Sequence, residues 1–123
     1  MAVLAVLCAA ASACGKQEAA LYAVDASRQC LVQDHVRLGG DLDFVATTAT
    51  GGAFKAHVGS NFVTVVFGET VEQADNLNQA YRTFRGKNVG IDDVLRQQEN
   101  AVMLWHAHPS DAEINRITSC LKS

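Results

Sequence analysis

The sequence predicts an α+β domain with a mostly antiparallel sheet, and three patterns point to it. Residues 53–58 and 62–67 are strand-like runs on either side of Gly59-Ser60-Asn61, which reads as a β-hairpin. Residues 91–98 and 101–107 repeat the arrangement around Glu99-Asn100. Thr70-x-x-Gln73 and Ser110-x-x-Glu113 are capping boxes, each heading a stripe of apolar residues at helical spacing. With a further helix ahead of the first hairpin, the order is helix–ββ–helix–ββ–helix. The expected architecture is a four-stranded sheet from two hairpins, with the helices on one face.

Residues 2–13 contain only Ala, Val, Leu, Cys and Ser. A membrane-spanning helix needs about 20 apolar residues, so this run is too short to span. It suits the apolar core of a secretory signal, which needs about 7–15 residues and small side chains at the cleavage site. Ala11-Ser12-Ala13 supplies the small side chains, Cys14 follows, and Gly15-Lys16-Gln17-Glu18 begins a polar stretch. A plain cleaved signal and a buried N-terminal helix of a cytosolic domain suit the same run.

Small residues directly before a cysteine, with a polar tether after it, resemble the lipobox of bacterial lipoprotein precursors. The resemblance covers the first fourteen residues. No Lys or Arg precedes the run, and Ala11 stands where that family prefers Leu. The resemblance implies a signal peptide over 1–13, lipidation of Cys14, a tether over 14–24 and a single domain over 25–123. Two or three acyl chains anchor a protein stably where one is marginal. The implied location is the outer face of the cytoplasmic membrane or the periplasm, with the membrane met through the lipid anchor. The whole chain also looks like small bacterial envelope proteins, a likeness that implies no activity.

On this reading Cys8 leaves with the signal and Cys14 carries lipid, so Cys30 and Cys120 remain. In an oxidising compartment those two are expected to pair. In a reducing one they are two buried thiols acting as small hydrophobes. The part left after cleavage is about 110 residues, a size that supports one core. The net charge of −3 is mild and mixed in sign. It offers no basic stripe for nucleic acid and no polybasic patch for anionic lipid.

The elements follow in order. Asp25 is placed to cap a helix over 26–35, which Gly39-Gly40 breaks. Residues 41–52 read as a short helix or a loop pinned by Leu42 and Phe44. Ala53 to Val58 alternates at period two, and Phe62 to Phe67 is nearly all apolar, as a central strand requires. Val71, Ala74, Leu77, Ala80 or Tyr81, and Phe84 make the stripe of the middle helix, with Glu69 and Glu72 near its start. Ile91 to Gln98 and Ala101 to Ala107 read as strands. The second is apolar on both faces, with Val102 and Leu104 on one and Met103 and Trp105 on the other. Pro109 ends it, and Ile114, Ile117 and Cys120 or Leu121 mark the last helix.

Candidate chemistry is sparse. His106 and His108 lie two apart, so in an extended strand both project to one face, as a divalent metal requires. His57 is a candidate third ligand, with Asp111 or Glu113 near in sequence. A solvated strand end explains the same pair of histidines. Asp92-Asp93 offers adjacent carboxylates for acid–base work or a cation, or simply a turn. Residues 47–52, Thr-Thr-Ala-Thr-Gly-Gly, offer hydroxyls and flexible backbone for an anion but lack the lysine and spacing of a P-loop. Arg82, Arg85 and Lys87 form a small basic patch that also complements a helix C-terminus. Trp105 and Tyr81 read as core. The sequence contains no C-x-x-C and no G-x-S-x-G, and no motif implies a cofactor. The function expected is therefore a lipid-anchored, non-catalytic binding or structural module. Metal binding through His106 and His108, and an envelope enzyme with an unrecognised site, are the alternatives.

Overall fold

The computed structural model describes residues 21–85 and 90–123. The expected signal peptide over 1–13, the expected lipidation site Cys14, the expected tether as far as residue 20, and Gly86 and Lys87 lie outside the described residues. The order is α1 (Val24–Gln33), β1 (Arg37–Leu38), α2 (Phe44–Thr48), β2 (Ala53–Val58), β3 (Asn61–Phe67), α3 (Val71–Arg85), α4 (Ile91–Val94), β4 (Leu95–Gln98), β5 (Ala101–Trp105) and α5 (Asp111–Thr118). The fold is α+β. The five strands form one antiparallel sheet in the order β1-β2-β3-β5-β4.

Two features of the expected architecture are corrected. The sheet has five strands rather than four, because Arg37 and Leu38 pair with His57 and Ala56 on the edge of β2. Two residues are too few to display an alternating pattern, so β1 leaves no mark in the sequence. The helices cover both faces of the sheet, not one. Val63, Val65 and Phe67 of β3, with Met103 and Trp105 of β5, pack with Leu31 of α1 and Ile117 of α5. On the other face Val66 and Val102 pack with Val45 and Ala46 of α2 and Ala74 and Tyr81 of α3. β3 and β5 are apolar on both faces, and each face is stable only if a layer removes it from water.

Boundaries also differ in instructive ways. α1 begins at Val24 with Ala23 as its cap residue, and Asp25 lies in its first turn, paired with Arg28 at 3.5 Å. Ile91–Val94 is a helical turn, so the strand expected from Ile91 starts only at Leu95. The Ser110 capping box forms as expected. The Thr70 hydroxyl accepts from Gln73 N at 3.0 Å, whereas the Gln73 side chain accepts from Glu69 N at 2.7 Å, one residue earlier than the motif anticipates.

Two constraints tie the chain ends to the sheet. Cys30 in α1 is bonded to Cys120, two residues past α5, with Cα atoms 5.4 Å apart. Ala23 N donates to Lys122 O at 2.7 Å, and Lys122 N donates to Ser27 Oγ at 3.0 Å. Asn100 is the second constraint. Expected in the turn between the strands of the second hairpin, it is there and is 1% exposed. Its Nδ2 donates to Tyr22 O at 2.9 Å and Gly68 O at 2.8 Å, and its Oδ1 accepts from Tyr22 N at 2.8 Å. The β4–β5 turn lies at Glu99 and Asn100 as expected, and Glu99 takes a φ of +51°.

Candidate functional site

The helical layer on the second face is incomplete. α3 and the five-residue α2 cover the end of the sheet that carries Val66 and Val102. Towards the opposite end the same face carries Lys55, Thr64 and Leu104, which are cross-strand neighbours in register, and then Phe62 and His106. A cleft of about 480 Å³ opens over these residues. Asp41, Leu42 and Asp43 line one side, and Gly90, Ile91, Asp93 and Val94 line the other.

The aromatic part of the floor is ordered by stacking. The His106 ring lies on Phe62 with centroids 4.4 Å apart and planes at 16°. The His57 ring reaches the same Phe62 from the other strand at 6.0 Å. Lys55 Nζ stands 4.8 Å from the Phe62 centroid, a cation–π arrangement. Its stem crosses Gly40, where a Cβ would meet Lys55 Cδ at 2.8 Å, so the glycine makes room for the lysine.

Two of the acids have structural partners. Asp43 Oδ1 accepts from Ala46 N at 2.8 Å, which caps α2, and both its oxygens accept from the buried Tyr81 hydroxyl at 3.0 Å. Asp93 Oδ1 lies 2.5 Å from His108 Nδ1. The neighbouring Asp92 pairs with Arg82, and the Arg96 guanidinium donates to the Asp93 carbonyl at 2.9 Å. These contacts fix α4 as a wall of the cleft.

Thr64 and Lys55 differ from the acids. Thr64 is 5% exposed, and its hydroxyl makes no hydrogen bond among the described residues. Lys55 has no carboxylate within ion-pair distance among them.

The residues singled out from sequence separate. β5 ends at Trp105, so His106 and His108 do not share an extended strand. The cause is Asn61, whose side chain donates to Ala107 O and accepts from Ala107 N, each at 3.0 Å, and so turns the backbone out of the ladder. His106 then stacks on Phe62, His108 meets Asp93, and His57 Nε2–H donates to Gly39 O at 2.9 Å. Glu113 is held in its capping box and by Asn61 Nδ2 at 3.1 Å. Among the described residues no three His, Cys, Asp or Glu side chains come together as a metal would require.

The Asp92-Asp93 carboxylates diverge to different partners. The Thr47 and Thr48 hydroxyls donate to Phe44 O and Val45 O inside α2, and Thr50 donates to Gln73, so the stretch is a helix end and turn. Arg82 is taken up by Asn78 and Asp92, the Arg85 side chain and Lys87 lie outside the described residues, and Trp105 and Tyr81 are core. Lys55, Phe62 and Thr64 are site residues that the sequence reading missed. The available signal was Thr64, the one hydroxyl inside an otherwise apolar run from Phe62 to Phe67.

No family model, curated protein or solved structure matches this chain, so its own residues carry the functional reading.

Proposed function

We propose that this chain is a lipid-anchored binding module of the cell envelope, exported by its first thirteen residues and tethered through Cys14. The bond between Cys30 and Cys120 is the observation that carries the reading. Disulfides persist in oxidising compartments outside the cytosol and are rare within it. The opening run supplies the route there. The binding half of the proposal is supported by the cleft on the second face of the sheet. Its floor presents a cation and a hydroxyl that fold stability leaves unused, whereas the Asp43 and Asp93 carboxylates are held by Tyr81 and His108.

Fractionation of cells producing the wild type and Cys14→Ala tests the anchor. The wild type is expected in the membrane fraction and accessible to protease from the envelope side. Cys14→Ala is expected to lose the lipid-dependent mass increase. A wild-type chain recovered unmodified in the cytosol, with Cys30 and Cys120 reduced, overturns the proposal.

A further inference from the structure

We infer that the cleft binds a small organic monocarboxylate with an apolar body, its carboxylate meeting Lys55 and Thr64 and its body lying against Leu104 and Ile91. The inference rests on the reading of the chain as a binding module and assigns that module its ligand class.

The donors come first. Lys55 and Thr64 are directly opposed on β2 and β3 and share the face that floors the cleft. Directly opposed residues in an antiparallel pair have Cβ atoms roughly 4.5–5.5 Å apart, so the two side chains leave the floor side by side. Thr64 is 95% removed from solvent, yet its hydroxyl has no partner among the described residues. The hydroxyl oxygen is not itself sealed from water, since among the described residues only the Trp105 indole nitrogen is both buried and unpartnered. The hydroxyl can therefore bond a ligand entering the cleft without breaking a hydrogen bond of the fold. Lys55 is held over the floor by Phe62 and by the space above Gly40. Its ammonium is therefore positioned before any ligand arrives, which lowers the ordering cost of binding.

Charge selects the class. Among the described residues Lys55 is the one lysine or arginine lining the cleft, against Asp41, Asp43 and Asp93. Asp43 and Asp93 are bonded elsewhere, and Asp41 stands at the side. Lys55 is paired with no carboxylate among the described residues, so one negative charge can meet it directly, while the lining aspartates, Asp43 among them with only neutral partners, oppose a second. A dianion such as phosphate brings a second charge towards Asp41 without a second cation. A simple amine faces the Lys55 ammonium and meets only the neutral Thr64 hydroxyl as an acceptor in the Thr64–Leu104 row. The apolar surface of Leu42, Ile91, Val94 and Leu104 around the donors excludes a purely ionic ligand and favours a hydrocarbon body.

The test is a titration of the full chain, disulfide intact, with phenylacetate, phenylacetamide, inorganic phosphate and phenethylamine, read as backbone amide shifts. Phenylacetate is expected to saturate, with the shifts centred on Thr64, Leu104 and Ile91. Its affinity is expected to fall about tenfold or more in Lys55→Met and about fivefold in Thr64→Val, the scale of one lost charge-assisted or neutral hydrogen bond. Lys55→Gln is a second variant, so that the conclusion does not depend on how one replacement folds. Both lysine variants are expected to keep the wild-type melting curve. Phenylacetamide binding as tightly as phenylacetate overturns the assignment, as does an unchanged affinity in both lysine variants. Saturable binding of phosphate or phenethylamine in preference, at the same amides, overturns the carboxylate class while leaving a binding module. Absence of saturation by all four probes overturns both the class and the cleft. The fractionation of Cys14→Ala bears only on the anchor.

Discussion

Replacing Asn100 with alanine should cost this domain about 3 kcal/mol, which follows from three hydrogen bonds at about 1 kcal/mol net each. Asn100 joins the segment ahead of α1 at Tyr22 to Gly68, just past β3, from the turn between β4 and β5. With the side chain gone, the Gly68 carbonyl and both polar groups of the Tyr22 backbone lose their partner together. Small domains have about 5–15 kcal/mol of total stability, so the loss is a large share of it. At about 4–8 °C per kcal/mol, the melting temperature should fall by roughly 12 °C or more. Thermal and urea unfolding by circular dichroism, with the disulfide intact, measure it. Asn100→Asp is the informative control. It keeps an oxygen for Tyr22 N but turns two donors into acceptors aimed at the carbonyls of Tyr22 and Gly68. Burial and the facing carbonyls raise the folded pKa of such a carboxyl above its unfolded value of about 3.9. Its penalty is therefore absent below about pH 3.9 and grows as pH rises above that value. The aspartate variant should approach the wild type at pH 3 and fall furthest behind it at pH 7. An alanine variant within 1 kcal/mol of the wild type, or an aspartate variant equally stable at both pH values, refutes the hub.

Four further outcomes are expected. Gly51→Ala should cost about 2–3 kcal/mol in urea unfolding, because its Cβ would sit 2.4 Å from Phe67 O, and backbone cannot move aside as a flexible side chain does. Tyr81→Phe should lose about 1–2 kcal/mol and speed amide exchange in α2, since the hydroxyl it removes donates to both oxygens of the α2-capping Asp43 at 3.0 Å. Ser110→Ala should cost about 1 kcal/mol by opening the α5 capping box, measured by thermal melting. Reduction of Cys30–Cys120, which spans 90 residues, should lower stability by up to about 4–5 kcal/mol, and intact mass should rise by two hydrogens.

The hairpins, the α3 stripe, the α5 capping box and the Cys30–Cys120 pairing were legible because each is written in local spacing or in the cysteine count. The second helical layer was legible only indirectly. The two-faced apolarity of Phe62–Phe67 and of Ala101–Trp105 marks them as central, and a strand buried on both faces also needs cover on both. Asn100 was legible as part of a hairpin turn but not as a buried hub. Its role depends on Tyr22 arriving from 78 residues away. The pairing of Lys55 with Thr64 depends on strand register, which sequence alone leaves open by one residue in either direction.

The cleft and the disulfide belong to opposite faces of one sheet, and this division explains how the chain combines a fixed core with an open site. α1 and α5 close the first face, where Leu31, Trp105, Ile117 and Cys120 are buried together. On the second face α2 is five residues long and α3 serves one end. The polarity of β3 and β5 on that face follows the cover. Val66 and Val102 lie beneath the helices, Thr64 and Leu104 lie at their margin, and Phe62 and His106 lie beyond them. Each step adds polar or aromatic character as water gains access. A strand buried along its whole length would not place a hydroxyl at its fourth residue. The disulfide on the far face stabilises the sheet beneath the cleft without contributing a cleft-lining atom. The disulfide is thereby separate from the cleft, and loss of the Cys30–Cys120 bond should lower the melting point while leaving the geometry around Lys55 and Thr64 intact in the chains that remain folded.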